Sequence, residues 1–224
     1  MDILKSVTRL ESKWIDKFSN IKESASINEC LPQNGALSHN IRPVLSESRL
    51  CGSAFTVQAA PGDNLILHKA LQLIKPGDVL VVSYGGYLEA GGMFGGVLST
   101  IAKEKGCKGL VTDGSVRDTK AMRDIKFPVY SGGVNIKSTS KRVGGRINNP
   151  INICDVTVHP GDLVFGDDDA IVIVPKHQVA EVYEKAYKRE EQEEVTLRKF
   201  REEGTVPFES NFQEVFAELN LSEE

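Results

Sequence analysis

The apolar positions fall into three textures along the chain. Ile3, Leu4, Val7, Leu10, Trp14 and Ile15 recur at helical spacing, and the polar stretch SASINECLPQNG follows them, so residues 1–45 read as an N-terminal helical arm. From about residue 50 the chain turns to short β-rich runs closed by Gly and Pro: GSAFTVQAAPGDN, KPGDVLVVSYGG, GCKGLVTDG, FPVYSGGV and HPGDLVFGDDDAIVIVP. Two helical patterns, Leu65 to Ile74 and Gly95 to Lys105, lie between these runs. The alternation predicts an α/β core over residues 46–176. In residues 177–224, KHQVAEVYEKAYKREEQEEVTLRKFREE carries only a narrow apolar stripe (Val179, Val182, Tyr183, Ala186, Val195, Leu197, Phe200). That pattern predicts a long C-terminal helix packed near a subunit interface, then a short amphipathic tail from Val206. The whole is expected to be one domain with two extensions.

Two turns, Pro76-Gly77-Asp78 and Pro160-Gly161-Asp162, each lead into an apolar run, as expected where a chain enters a buried strand. With 224 residues, 40% of them hydrophobic, the chain can bury a sizeable core. Its net charge of -4 gives no basic footprint for nucleic acid, and a small anionic metabolite needs a local positive site. Charges interrupt every apolar cluster of MDILKSVTRLESKW, so neither a signal peptide nor a membrane span is expected there, and the expected location is cytoplasmic. Cys30, Cys51, Cys107 and Cys154 are too far apart for a zinc motif and read as buried or incidental thiols. His39, His68, His159 and His177 are equally scattered, and their spacing supports neither a metal site nor a Ser-His-Asp triad.

Candidate chemistry concentrates in Gly91-Gly92-Met93-Phe94-Gly95-Gly96, between a strand-like run and a helix. A Gly-rich turn opening a helix offers unpaired backbone N–H groups and the positive end of the helix dipole to an anion. One reading is a dinucleotide loop, with Ala90-x-Gly92-x-x-Gly95 standing for the fingerprint and Asp113 for the ribose ligand. Its first glycine is an alanine, and the turn from Ser83 is long. Asp113 also suits an Asp-Gly turn. Asp167-Asp168-Asp169 sits in a turn between two apolar runs and has neither the glycine nor the glutamate of a calcium loop.

The order GDVLVV, a Gly-rich loop opening a helix, GLVTDGSVRD, FPVY, GGRINNP and VHPGDLVFGDDDAIVIVP resembles the class II pyruvate aldolases typified by 4-hydroxy-4-methyl-2-oxoglutarate aldolase. That family also contains the RraA-like regulators of ribonuclease E activity. The resemblance spans about Gly52 to Pro175 and implies an RraA-like swivelling β/β/α-type core, in a homotrimer or a hexamer built as a dimer of trimers. It implies a metal-dependent carbon–carbon lyase that forms pyruvate enolate, by retro-aldol cleavage of a 4-hydroxy-2-oxo acid or by decarboxylation of oxaloacetate. Asp118 is then the ligand of Mg²⁺ or Mn²⁺, Arg117 the catalytic contact to the ketone oxygen, and the backbone of Gly95, Gly96, Val97 and Leu98 the cradle of the substrate carboxylate. The chemistry of the residues agrees. A hard cation takes one carboxylate plus a chelating substrate, and arginine keeps its charge beside a developing oxyanion.

The chain also departs from that family. Its active aldolases carry an acid immediately after the glycine that opens the helix, and here that position is Gly96. Glu89 is the nearest upstream acid. The resemblance further implies an acid from the C-terminal region of an adjacent subunit, for which Glu190, Glu191, Glu193 and Glu194 are the candidates. Gly96 leaves a second function class open, a non-catalytic regulatory or protein-binding scaffold.

Overall fold

Strands rich in β-branched residues and buried on both faces form the middle of the protein, as a parallel sheet requires. In the computed structural model, which describes residues 2–4, 6–204 and 209–221, the chain opens with β1 (Asp2–Ile3), α1 (Ser12–Phe18), α2 (Ser24–Asn28) and β2 (Arg42–Pro43). The alternating part comprises β3 (Leu50–Gln58), α3 (Leu65–Leu73), β4 (Asp78–Ser83), β5 (Gly92–Phe94), α4 (Gly96–Glu104), β6 (Gly109–Val116), α5 (Thr119–Asp124) and β7 (Val129–Val134). Four short strands follow β8 (Arg146–Ile147): β9 (Ile151–Ile153), β10 (Val156–Val158), β11 (Leu163–Gly166) and β12 (Ile171–Val174). The chain ends in α6 (Val179–Glu203) and α7 (Glu209–Glu218).

Strands β3, β4, β6 and β7 lie side by side and parallel, joined through α3, α4 and α5. The outer edge of β3 pairs antiparallel with β11 at one end and with β8 at the other, while β2 pairs with β7. On one sheet face Phe55, Val57, Leu80, Val82 and Leu110 pack with Leu67, Ala70, Leu98, Ala102 and Met122 of the three helices. On the other, Ala54, Val79, Val81 and Val111 pack with Ile151, Ile153, Val156 and Val158 of the β9–β10 hairpin. The layers are therefore β/β/α, as the resemblance implies. A third cluster joins Phe18, Ile21 and Ile27 to β11, β12 and the first turns of α6.

Both Pro-Gly-Asp turns start strands, at Asp78 and just before Leu163, with each glycine in the left-handed region at φ 89°. Arg9 holds the buried Asp78 through two bonds, Nε to Oδ1 at 2.6 Å and Nη2 to Oδ2 at 2.8 Å. The N-terminal residues differ from the helical reading. Ile3 belongs to β1, residues 6–11 are not helical, and the helix begins only at Ser12, where the spacing of Trp14, Ile15 and Phe18 turns one side onto the third cluster.

The chain divides into two units, Met1–Ala186 and Tyr187–Glu224. Within α6 the buried side chains are Val179, Val182 and Ala186, whereas Val195, Leu197 and Phe200 are exposed. Part of the tail read from Val206, residues 206–208 and 222–224, lies outside the described residues. No described helix is long and apolar enough to cross a membrane.

Candidate active site

The glycine-rich stretch contains more structure than a turn between strand and helix. Gly92–Phe94 forms β5 and pairs with the end of β6, so the Phe94 carbonyl accepts the Arg117 amide at 2.9 Å. Gly91 has φ 122°, where side chains other than glycine's are strained. Space explains its neighbours. A Cβ at Gly92 would lie 2.3 Å from the Asn135 carbonyl oxygen and 2.7 Å from the Arg117 Cβ. A Cβ at Gly95 would lie 2.6 Å from Asp118 Oδ2. The glycines thus let β5 and the start of α4 close upon the Arg117-Asp118 turn.

Asp118 occupies the left-handed conformation (φ 60°, ψ 38°), which a short polar side chain tolerates at a small cost. Its Oδ2 accepts the Gly96 amide at 3.1 Å and lies 3.8 Å from Arg117 Nε. Among the described residues Oδ1 has no hydrogen bond. The amides of Val97 and Leu98, in the first turn of α4, precede the first intrahelical bond, which is Ser99 to the Gly95 carbonyl. Gly95, Val97, Leu98, Arg117 and Asp118 line one cavity of about 130 Å³. Gly96 borders it through the amide given to Asp118. Five of the six residues that the resemblance assigns to the site therefore line one cavity, and the sixth, Gly96, is joined to it by the bond to Asp118.

Asn64, His68 and Lys141 line the same cavity, and sequence reasoning missed them. Asn64 precedes α3 directly, so it reads as an ordinary helix cap, and one helical turn later His68 faces the same way. The capping is done instead by Asp63, whose Oδ1 accepts the Leu65 amide at 2.8 Å. Lys141 gives no sequence signal, because its loop reaches the cavity through tertiary contacts. Asp63 Oδ2 accepts the amides of Arg142 (2.6 Å) and Val143 (3.1 Å) and the Ser140 hydroxyl, tying that loop to the start of α3. Burial raises the pKa of Asp63, but these four donors outweigh it and bring the carboxyl down to about 2.

The other acids have different work. Asp113 stands within β6 rather than in an Asp-Gly turn. Its carboxylate accepts the Tyr84 amide (2.5 Å), the Gly86 amide (3.1 Å) and the Ser83 hydroxyl (3.2 Å), so it anchors a loop and is committed where a ribose ligand would have to be free. Burial pushes its pKa up against those donors. Glu89 pairs with Lys137 at 2.9 Å and does not line the cavity. Glu190, Glu191, Glu193 and Glu194 lie in the second unit, where Glu193 pairs with Arg189. Burial raises the thiols of Cys51 and Cys107 to about 12 and about 11, which keeps them protonated.

The donors at the cavity fit a hard divalent ion better than a soft one. No three His, Cys, Asp or Glu side chains of the described residues form a metal-holding group. The open Oδ1 of Asp118 is a single carboxylate oxygen of the kind Mg²⁺ and Mn²⁺ take while keeping water and substrate oxygens.

The family model described as RraA-like, Aldolase/RraA, matches residues 19–173. A protein of Halalkalibacterium halodurans provisionally named 4-hydroxy-4-methyl-2-oxoglutarate aldolase is 34% identical over 86% of this chain and 90% of its own. The 4-hydroxy-4-methyl-2-oxoglutarate aldolase of Thermus thermophilus is 28% identical over 68% of this chain and 92% of its own. Among solved structures, Streptomyces coelicolor RraAS2, titled an unusual member of the RNase ES inhibitor RraA family, superposes with a TM-score of 0.76 at 27% identity, covering 85% of this chain and 98% of that one. With its β/β/α layers, its Arg117-Asp118 turn against the start of α4, and a matching model over most of its length, this chain belongs to the RraA-like aldolase family.

Proposed function

We propose that the protein is a divalent-metal-dependent lyase that generates pyruvate enolate, from a 4-hydroxy-2-oxo acid by retro-aldol cleavage or from oxaloacetate by decarboxylation. The observation that carries this reading is the convergence of Arg117, the open Oδ1 of Asp118 and the amides at the start of α4 on one small cavity. The family membership and the names of the relatives support it.

In the proposed mechanism the Val97 and Leu98 amides bind the substrate's 1-carboxylate, helped by the positive end of the helix. Arg117 sits beside the 2-oxo oxygen. As the C3–C4 bond breaks, its electron pair enters the C2–C3 bond and negative charge collects on that oxygen, where the guanidinium stabilises it. In cleavage the C4 hydroxyl gives up its proton and leaves as a carbonyl, whereas in decarboxylation carbon dioxide leaves and no hydroxyl is involved. The enolate then takes a proton at C3. His68 is the imidazole at the cavity and is the proposed proton carrier, in a chain whose Gly96 lacks the family's acid. A Mg²⁺ or Mn²⁺ ion held by Asp118 would supply Lewis-acid stabilisation of the same charge.

Oligomerisation belongs to this proposal. Val97 is 73% exposed and Ile101, one turn further along α4, is 41% exposed, which suits a homotrimer or hexamer packing on this helix. Light scattering of the purified protein should show three or six chains, and a monomer at working concentration would count against it.

Full-length protein with Mg²⁺ or Mn²⁺ should release pyruvate from 4-hydroxy-4-methyl-2-oxoglutarate or oxaloacetate, and a chelator should stop it. Absence of metal-dependent release from both substrates would overturn the proposal. One observation favours a non-catalytic regulatory scaffold instead. A Cβ at Gly96 would lie 2.9 Å from the Ala121 Cβ, so α5 stands too near for a side chain to be added without a shift. A stable protein partner, together with no metal binding in calorimetry, would establish that second reading.

A further inference from the structure

A second cavity, of about 520 Å³, opens at the end of the sheet where β3 and β7 begin, and the proposed mechanism leaves it unused. Leu45 to Arg49, just ahead of β3, form one wall, and Arg123, Lys126 and Pro128, between α5 and β7, form the other. It shares no lining residue with the cavity at Arg117 and Asp118, which lie at the other end of α5. The first wall is fixed in place. The Val44 amide donates to the Val129 carbonyl at 2.8 Å, the Glu47 and Ser48 amides donate to the Asp168 carboxylate, and the Tyr130 hydroxyl donates to the Ser48 carbonyl at 2.9 Å.

Three cations line this cavity, Arg49, Arg123 and Lys126, and all three are exposed, so a ligand can reach them. One bond to the Lys22 carbonyl, at 3.0 Å, and the Phe165 ring, with its centroid 5.2 Å away, hold the Arg49 guanidinium. Among the described residues the side chains of Arg123 and Lys126 make no hydrogen bond or ion pair. Glu47 is the single acid of the lining and pairs with none of the three, which leaves two positive charges in excess.

A helix C-terminus attracts cations, and that accounts for Arg123 in the last turn of α5. It does not account for Lys126. Helices α4 and α5 end in the same pair of backbone bonds: Gly106 to Lys103 and Cys107 to Ala102 after α4, Lys126 to Arg123 and Phe127 to Met122 after α5. The residue at the turn is left-handed in both, at φ 79° for Gly106 and φ 50° for Lys126. Glycine is the ordinary occupant of that position, and a lysine there strains the backbone. The chain accepts the strain and gains an ammonium beside two guanidinium groups. Two planar forks and a point charge suit a tetrahedral dianion, whose oxygens accept from arginine in pairs. A phosphate near neutral pH brings almost two negative charges, where a carboxylate brings one. The volume also leaves room for a small organic group carrying the phosphate.

We propose that the cavity between residues 45–49 and the end of α5 binds a phosphate dianion, free or as a phosphomonoester, on Arg49, Arg123 and Lys126. The inference is independent of the lyase reading. Calorimetric titration of the full-length protein at about 0.15 M salt should give a Kd of about 1 mM or tighter for inorganic phosphate or ribose 5-phosphate. Tighter binding of the ester would assign the site to a phosphorylated metabolite and equal binding to free phosphate, and both support the inference. Lys126→Gly should weaken that binding about 10-fold while the melting temperature holds or rises, because glycine relieves the left-handed strain. Arg123→Ala should weaken it by a similar factor, whereas Arg117→Ala, at the other anion-attracting cavity, should change it less than about 2-fold. Affinity unchanged in both Lys126→Gly and Arg123→Ala would overturn the inference. So would loss of binding in Arg117→Ala alone, which would put the phosphate in the other cavity. A Kd weaker than about 1 mM for both probes would mean an adventitious ion only and would overturn it too.

Discussion

Two acidic turns of this protein look alike in sequence and do opposite things. Asp167-Asp168-Asp169, between β11 and β12, has the greater density of carboxylates. Asp167 accepts the Ser24 amide at 2.6 Å, the Ser24 hydroxyl at 2.9 Å and the amides of Asp169 and Ala170, and Asp168 accepts the amides of Glu47 and Ser48. These carboxylates hold the N-terminal residues onto a hairpin and are supplied by backbone amides and the Ser24 hydroxyl. Arg117-Asp118, between β6 and α5, has a single aspartate with a single amide donor, a strained backbone and a cation beside it, all at a cavity. The difference separates a structural carboxylate from the proposed reactive one by what the latter has not been given: stabilising interactions supply an acid with donors, and Asp118 is left short of partners.

The comparison can be broken most decisively at the cation. Arg117→Ala should lower kcat for pyruvate release by about 10²–10³ while the melting temperature changes little, because its side chain lines the cavity where the proposed substrate binds and is not part of the core. Asp167→Ala should do the reverse. Loss of four hydrogen bonds to a nearly buried carboxylate should cost about 3 kcal/mol, a fall of roughly 6–12 °C in melting temperature for a chain of this size, with turnover per folded molecule retained. A catalytic loss in Asp167→Ala at unchanged stability would erase the distinction.

Gly96 sharpens it further. The acid cannot simply be restored, because its Cβ would meet Ala121 at 2.9 Å. Gly96→Asp together with Ala121→Gly should raise retro-aldol turnover at least several-fold, whereas Gly96→Asp alone should raise it less and lower the melting temperature. Equal turnover in the two would show that α5 does not close the position.

A smaller effect is expected in acid. The folded-state pKa of Asp63, about 2, lies below the ordinary 3.8, so the stabilisation it gives is complete above about 3.8 and disappears as pH falls through about 2. Protection of the Arg142 and Val143 amides, measured against the exchange rate of free amides at the same pH, should fall over that window, and protection unchanged down to about pH 2 would contradict the tether. Smallest of all, Asp118→Asn should shift stability by no more than about 0.5 kcal/mol, since asparagine also tolerates the left-handed conformation.

The legible parts of the sequence were those with local causes. Periodicity located α3 and α4 to within a residue at each end, and Gly106, at φ 79°, ends α4 through local backbone bonds. The Arg117-Asp118 turn was legible through the order of motifs around it. β5 was not, because three residues with two glycines nearby give no strand signal, and only pairing with β6 makes them one. The N-terminal helix was misplaced because Ile3 answers to β8 rather than to helical neighbours. Asn64 was hidden for a different reason. Its position before a helix has a common local explanation, and only the tertiary bond from its Nδ2 to the Met93 carbonyl shows that the side chain turns away from its own helix.

The most direct test of the central claim needs no carbon–carbon cleavage. A site built to stabilise the pyruvate enolate should exchange the methyl protons of pyruvate for deuterium in D₂O, which NMR follows without a coupled assay. The wild type with Mg²⁺ or Mn²⁺ should catalyse this exchange, and Arg117→Ala should lose it by about 10²-fold or more. Exchange no faster than in buffer, or equally fast in Arg117→Ala, would contradict the assignment of the Arg117-Asp118 turn as the reactive centre.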